Sequence, residues 1–251
     1  MPPKNPWKSI SWKNTIAKDD IPCIRHLLFS TCTNPADKPY CIHDELLPEP
    51  FMGDLHSEVY VLNGNPGYSQ LDSFYKGDGL LEQLIKDNLN LEVPNLLWLD
   101  SATPIRQKYI NNGGKWPVYA KSGKKIKDGY EWWNEAAGKL VRLLSHTPRF
   151  CNIEYFPYHT EKKDKIMKIK NLPSNAFADW YVRDAIRNEK WIIIVRCFKE
   201  WLERIPELEV YNQYSGRVLV GDSARVYLTQ HNLKRKTDIS RTSWADLINN
   251  L

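Results

Sequence analysis

No apolar run in this chain approaches the length of a membrane span and no signal-peptide pattern opens it, so a soluble protein is expected. No CxxC pair is present to anchor a metal site, and no GxGxxG follows any predicted strand, which disfavours a flavin or nicotinamide enzyme. Charge of one sign is scarce too. The balance of 35 Lys+Arg against 30 Asp+Glu leaves +5, compatible with a polyanionic partner and equally with ordinary solubility. Cys23, Cys32, Cys41, Cys151 and Cys197 form an odd set, best read as free thiols in a reducing cytoplasm. Cys32, Cys41 and His43 have too few partners for a metal centre, so no metal is expected.

What is present suits a globular enzyme. A chain of 251 residues, 42% hydrophobic and 26% charged, can bury one sizeable core and needs no more than one or two domains. Many aromatic residues sit beside lysines, among them Trp7, Trp12, Trp116, Tyr119 and Tyr130. Such pairs suit stacking on bases while phosphates are neutralised, and equally suit capping of loops against a core.

Residues 1–45 read as an irregular amino-terminal arm with a short helical piece near 21–29, because Pro and polar residues interrupt every period. Residues 46–54, with Pro48 and Pro50, read as an extended lead-in. Strands are predicted at 58–62, 151–155, 191–195 and 226–229, with a further edge strand at 217–220. Helical periods cover 79–88, 130–145, 173–190 and 198–204. A Gly- and Lys-rich insertion near 94–128 carries the run 121–127, in which Lys124 and Lys125 are candidate phosphate contacts or part of a solvated loop. Strands alternating with helices predict an α/β fold with a parallel sheet covered on both faces.

In such a sheet, ligands bind beyond the carboxyl ends of the strands. The loops after Leu62, Tyr155 and Thr229 should then converge, bringing together Asn63, Asn65, Tyr68, Glu154, His159 and His231 beside Lys234, Arg235 and Lys236. An amide to orient water, a histidine to meet developing negative charge and a basic rim form a set suited to cleaving a bond within a nucleic acid.

Asn65-Pro66-Gly67 directly after a buried strand resembles the first motif of the uracil-DNA glycosylase superfamily, in the Asn-Pro-Gly form of its mismatch-specific and single-strand-selective branches. The late strand running into His231 resembles the second motif, usually His-Pro-Ser, although Asn232-Leu233 stands where Pro-Ser is usual. The resemblance spans residues 46–251 and leaves the arm uncovered. It implies a three-layer α/β/α sandwich around a central, mainly parallel four-stranded sheet. It also implies a monomeric, cofactor-free, monofunctional DNA glycosylase acting on single- or double-stranded DNA.

By that resemblance Asn65 positions the attacking water, and His231 donates toward the carbonyl oxygen of the departing base. Leu233 or Arg235 would fill the hole left by the extruded nucleotide. Lys234, Arg235, Lys236 and Arg241 otherwise suit phosphate contacts or an ordinary solvated basic tail. Two departures bear on the substrate. The uracil-specific branch carries a Tyr that closes the pocket against a substituent on carbon 5 of the base, and Gly67 stands at that position. Glu154 falls where many members present an Asn to the base, and a carboxylate, which only accepts, suits the exocyclic amine of cytosine. Glu154 can also be a strand residue paired with a nearby lysine. Phe156 and His159 can orient a flipped base or cap the sheet, and Tyr68 can shield the pocket or pack the loop.

The expected substrate is therefore a cytosine-like base with a bulky group on carbon 5, as found in the modified genomes of some bacterial viruses, which suggests a defensive role. A uracil or mismatch repair glycosylase, an enzyme acting on small nucleosides, and a non-catalytic nucleic-acid-binding protein of the same fold are the alternatives.

Overall fold

Val59, Tyr60, Val61 and Leu62 are β-branched, aromatic or aliphatic without interruption, the composition of a strand buried on both faces. In the computed structural model, which describes residues 1–69, 71–94, 110–111, 150–215 and 217–220, this segment is the central strand of the sheet. Five strands form among the described residues: β1 (Phe51–Gly53), β2 (Val59–Asn63), β3 (Phe150–Glu154), β4 (Trp191–Ile194) and β5 (Val218–Val220). Their order is β1-β3-β2-β4-β5. β2 runs parallel to β3 on one side and to β4 on the other, and β5 is parallel to β4.

The fold is thus α/β, but the sheet is mixed and five-stranded where a mainly parallel sheet of four was expected. β1 makes the difference. It pairs antiparallel with β3, with Phe51 opposite Ile153 and Gly53 opposite Cys151. Its extended conformation was readable from Pro48 and Pro50. Its pairing was not, because three residues are too few to display a period. The expected strand at 226–229, the helix at 130–145 and the insertion near 94–128 lie outside the described residues, Pro94, Ile110 and Asn111 excepted.

Five α-helices have both ends among the described residues: α1 (Ile21–Ile24), α2 (Gly79–Leu89), α3 (Asn175–Arg187), α4 (Phe198–Arg204) and α5 (Glu207–Ser215). Asp78 caps α2 by accepting from the amides of Leu80 and Leu81, while Leu81, Ile85 and Leu89 point into the core. Asn88 on the same helix accepts from the Gly53 amide and donates to the Phe51 carbonyl, which satisfies the edge of β1. α5 had no clear period in the sequence, and only Leu208, Tyr211 and Asn212 on it are buried.

The amino-terminal arm belongs to the same core. Trp7, Ile10, Ile24 and Ile42 are buried among residues of the sheet and helices. Trp7 is therefore no exposed stacking platform, and Trp12 donates its indole N–H to the Asp78 carbonyl at 3.1 Å. Trp116, Tyr119 and Tyr130 lie outside the described residues.

Cys32 and Cys41 form a disulfide, where free thiols were expected. A 3-10 turn over Lys38–Tyr40 brings Cys41 back toward Cys32, with Cα atoms 6.7 Å apart. The same pairing removes Cys32 and Cys41 from any metal site with His43.

One buried carboxyl anchors the arm. Asp20, fully buried, accepts from the Tyr158 hydroxyl at 2.7 Å and from both the amide and the hydroxyl of Ser174. Burial first, and then Asp20, push the Tyr158 phenol well above its ordinary value, so it acts as a neutral donor. Asp20→Ala would leave these donors buried and unpaired. A loss of ~3 kcal/mol in urea unfolding is expected, and a loss under ~1 kcal/mol would show that the arm is held by its apolar side chains alone.

Candidate active site

β2 and β3 end in register, with Asn63 opposite Glu154. The ladder continues past both strands, since Tyr155 donates to the Asn63 carbonyl at 3.1 Å and Phe156 to the Gly64 carbonyl at 2.9 Å. The two loops therefore leave the sheet side by side at its carboxyl edge, as parallel pairing requires. The Trp201 indole N–H on α4 adds a 2.8 Å bond to the Asn63 carbonyl.

A chain of side-chain hydrogen bonds lies on the shared face of these strands. Asn63 Nδ2 donates to Asn152 Oδ1 at 2.6 Å, and Asn152 Nδ2 donates to Glu154 Oε1 at 2.8 Å. Asn63 Oδ1 and Glu154 Oε2 are buried and, among the described residues, meet no hydrogen-bond partner. Unsatisfied buried oxygens are costly and uncommon in native interiors. Burial pushes the Glu154 carboxyl up to about 8, the Asn152 hydrogen bond and Arg196 oppose the rise, and Glu49 adds to it. At neutral pH the group is therefore mainly a carboxylic acid, which both donates and accepts, and not the accept-only carboxylate read from the sequence.

Beyond Asn63 the chain turns tightly through residues 64–67. A Cβ on Gly64 would stand 2.9 Å from Cys197 Sγ, so only glycine fits between the loop and the start of α4. Gly67 has φ +75°, a conformation that glycine adopts without strain, and a Cβ built there meets nothing within 4 Å. Asn65 donates through Nδ2 to the hydroxyl of buried Thr160 at 3.1 Å, which leaves its Oδ1 as the acceptor end.

His159 braces the turn from beneath. Its Nδ1 lies 2.8 Å from the Gly67 carbonyl and its Nε2 lies 3.0 Å from the Leu47 carbonyl, with Glu49 3.6 Å away. Burial pushes the imidazole below its ordinary value, against Asp72 and the two carbonyls. A neutral ring has a single N–H, so it satisfies one of these carbonyls at a time and the protonated ring satisfies both. Asp72, which accepts from the Ser69 amide at 2.6 Å, is raised to about 6 by burial.

Tyr68 lies flat on His43, with ring centroids 3.6 Å apart and planes 2° apart, and Phe29 covers the other face of His43 at 4.9 Å. The arm thereby builds one wall beside the turn. His43 Nδ1 meets Glu45 at 2.9 Å. Burial is the largest single influence and works against the Glu45 carboxylate, but the His43 hydrogen bond, a backbone hydrogen bond and the charges of His43 and Lys76 together hold the group below its ordinary value.

Of the residues singled out in the sequence, Asn63, Asn65, Gly67 and Glu154 gather at one edge, with Tyr68 and His159 supporting the loop. Phe156 is fully buried and packs edge-on against Tyr158 in the core. His231, Leu233, Lys234, Arg235, Lys236, Arg241, Lys124 and Lys125 lie outside the described residues. Asn152 and Thr160 were missed, and His43, weighed only as a metal ligand, was not expected beside Tyr68. Asn152 alone left a readable signal, a second polar residue two positions before Glu154 in an otherwise apolar strand.

Among the described residues, no group of three or more His, Cys, Asp or Glu could hold a metal ion, and no helix is long and apolar enough to cross a membrane. Comparison with protein-family models, with curated proteins and with solved structures finds no match for this chain.

Gly64→Ala should cost ~1–3 kcal/mol through the clash with Cys197 Sγ, and Cys197→Ala in the same chain should recover most of that loss. Additive effects of the two changes in thermal unfolding would show that the contact does not set the turn. The raised Glu154 pKa has its own signature. The folded protein keeps this proton between the ordinary 4.5 and about 8, so stability should fall as pH rises through that window. Asp72 contributes a slope of the same sign only up to about 6. Glu154→Gln should therefore flatten the pH 6–8 part of the stability curve, and an unchanged slope there would contradict the acid form.

Proposed function

We propose that this chain is a monofunctional DNA glycosylase of the uracil-DNA glycosylase superfamily, which flips a base and hydrolyses its N-glycosidic bond to leave an abasic site. One observation carries the reading: Asn65, steadied by Thr160, stands at the carboxyl edge of the sheet, where register-paired Asn63 and Glu154 offer buried oxygens without partners. That edge is where an extruded base would supply the missing partners. The three-layer sandwich of the superfamily is part of the proposal.

An amide cannot take a proton from water efficiently, so Asn65 Oδ1 acts by orienting the water toward the anomeric carbon. Most of the rate enhancement then comes from stabilising the departing base, a task in which His231 serves at its carbonyl oxygen. Lys124, Lys125, Lys234, Arg235, Lys236 and Arg241 contact phosphates, and Leu233 fills the vacated stack. The open space at Gly67 supports a base with a large carbon-5 substituent, and a modified cytosine is the favoured substrate. The protein acts as a cytoplasmic monomer, and defence against viruses with modified DNA follows from that substrate. Plain uracil is the second reading, because the acid form of Glu154 can also donate to a carbonyl oxygen.

Oligonucleotides bearing uracil or 5-substituted cytosines, treated with alkali after incubation, test the proposal. The wild type should yield abasic sites, and Asn65→Ala should lower the rate by about 10²–10³ with DNA affinity retained. A protein that binds these DNAs yet releases no base, and is indifferent to Asn65→Ala, would be a non-catalytic binder.

A further inference from the structure

We propose that Glu154 is the general acid of the reaction, passing its Oε2 proton to ring nitrogen N3 of a cytosine-type base as the glycosidic bond breaks. The inference rests on the glycosylase reading above and goes beyond base recognition.

Direction in the hydrogen-bond chain carries the argument. Asn152 Nδ2 occupies Glu154 Oε1, and Asn63 Nδ2 is spent on Asn152, so the two oxygens left over are Glu154 Oε2 and Asn63 Oδ1. They belong to register partners on adjoining strands. An amide oxygen only accepts, whereas the hydroxyl of a carboxylic acid donates. This pair, acceptor beside donor, complements the edge of cytosine, where the exocyclic amine donates and N3 accepts.

The charged and titratable surroundings are mixed. Glu49 on the lead-in to β1 disfavours ionisation of Glu154, Arg196 after β4 favours it, and Cys197 lies close enough to interact with it. Lys163 stands 3.5 Å from Cys197 Sγ. With burial dominant, the acid form persists to about pH 8.

The chemistry explains why an acid is needed. A cytosine expelled as an anion lacks the second ring carbonyl over which uracil spreads its charge, so it leaves slowly unless protonated. In the proposed step the Oε2–H bond breaks and an N3–H bond forms. The C1′–N1 bond breaks with its electron pair remaining on N1, so the base departs neutral. Water oriented by Asn65 adds to C1′ and releases its proton to solvent, and Glu154 regains a proton from solvent once the base has left. The sum is one water consumed, one abasic site and one free base.

The test is a single-turnover pH profile on oligonucleotides carrying 5-methyl-, 5-hydroxymethyl- or 5-(glycosyloxymethyl)cytosine, with uracil as a parallel arm. For the wild type on a cytosine substrate, the rate should fall about tenfold per pH unit above about 8 as the acid ionises. Glu154→Gln retains an N–H donor but no transferable proton. It should lower the rate about 100-fold or more, abolish that descending limb and leave DNA affinity within about threefold. A wild-type rate in Glu154→Gln, or the same limb persisting in it, would overturn the general acid while leaving the glycosylase intact. A flat wild-type profile above pH 8 would do the same without recourse to any variant. No base released from any of the four substrates would overturn the glycosylase reading and this inference together.

Discussion

The parallel register of β2 and β3 is the constraint on which the candidate site depends. It sets Asn63 opposite Glu154, puts Asn152 on the same face to bridge them, and sends both loops off the same edge of the sheet. A slip of one residue would turn Glu154 and Asn152 to the opposite face and break the chain of amides. The ladder is extended past the strand ends by the amides of Tyr155 and Phe156 and by the Trp201 indole, which fix the Asn63 and Gly64 carbonyls at the start of the turn.

Two buried acidic residues illustrate the difference between a polar group whose donors are supplied by the fold and one left with an unmet oxygen. Asp20 receives three donors, from Tyr158 and from Ser174 twice, and thereby ties the arm to the core. Glu154 receives one, and its second oxygen faces no partner among the described residues. Both sit in apolar surroundings where an unmet hydrogen bond costs free energy. Local conflicts of that kind concentrate where function requires them. Around the conflict the strands are apolar and fully buried, which lets the sheet tolerate it.

Much of the fold was legible because its main elements are long enough to show a period. β2, β4, α2, α3 and α4 lie within a few residues of their expected positions, each signalled by uninterrupted branched residues or by helical spacing. β1 and α5 were hidden, one by its three-residue length and the other by its weak amphipathicity. The disulfide was hidden for another reason: Cys32 and Cys41 are nine positions apart, and only the folding of the chain between them decides whether the sulfurs meet.

The Asn-Pro-Gly turn, the strand before it and the alternation of Asn152 with Glu154 were written in local sequence, because turn chemistry and strand period act over a few residues. Tertiary structure alone decided that Thr160 would hold Asn65, that His43 from the arm would lie against Tyr68, and that Glu154 would be buried deeply enough to keep its proton. Those outcomes depend on contacts between segments distant in the chain, and on burial, which no short stretch of residues can specify.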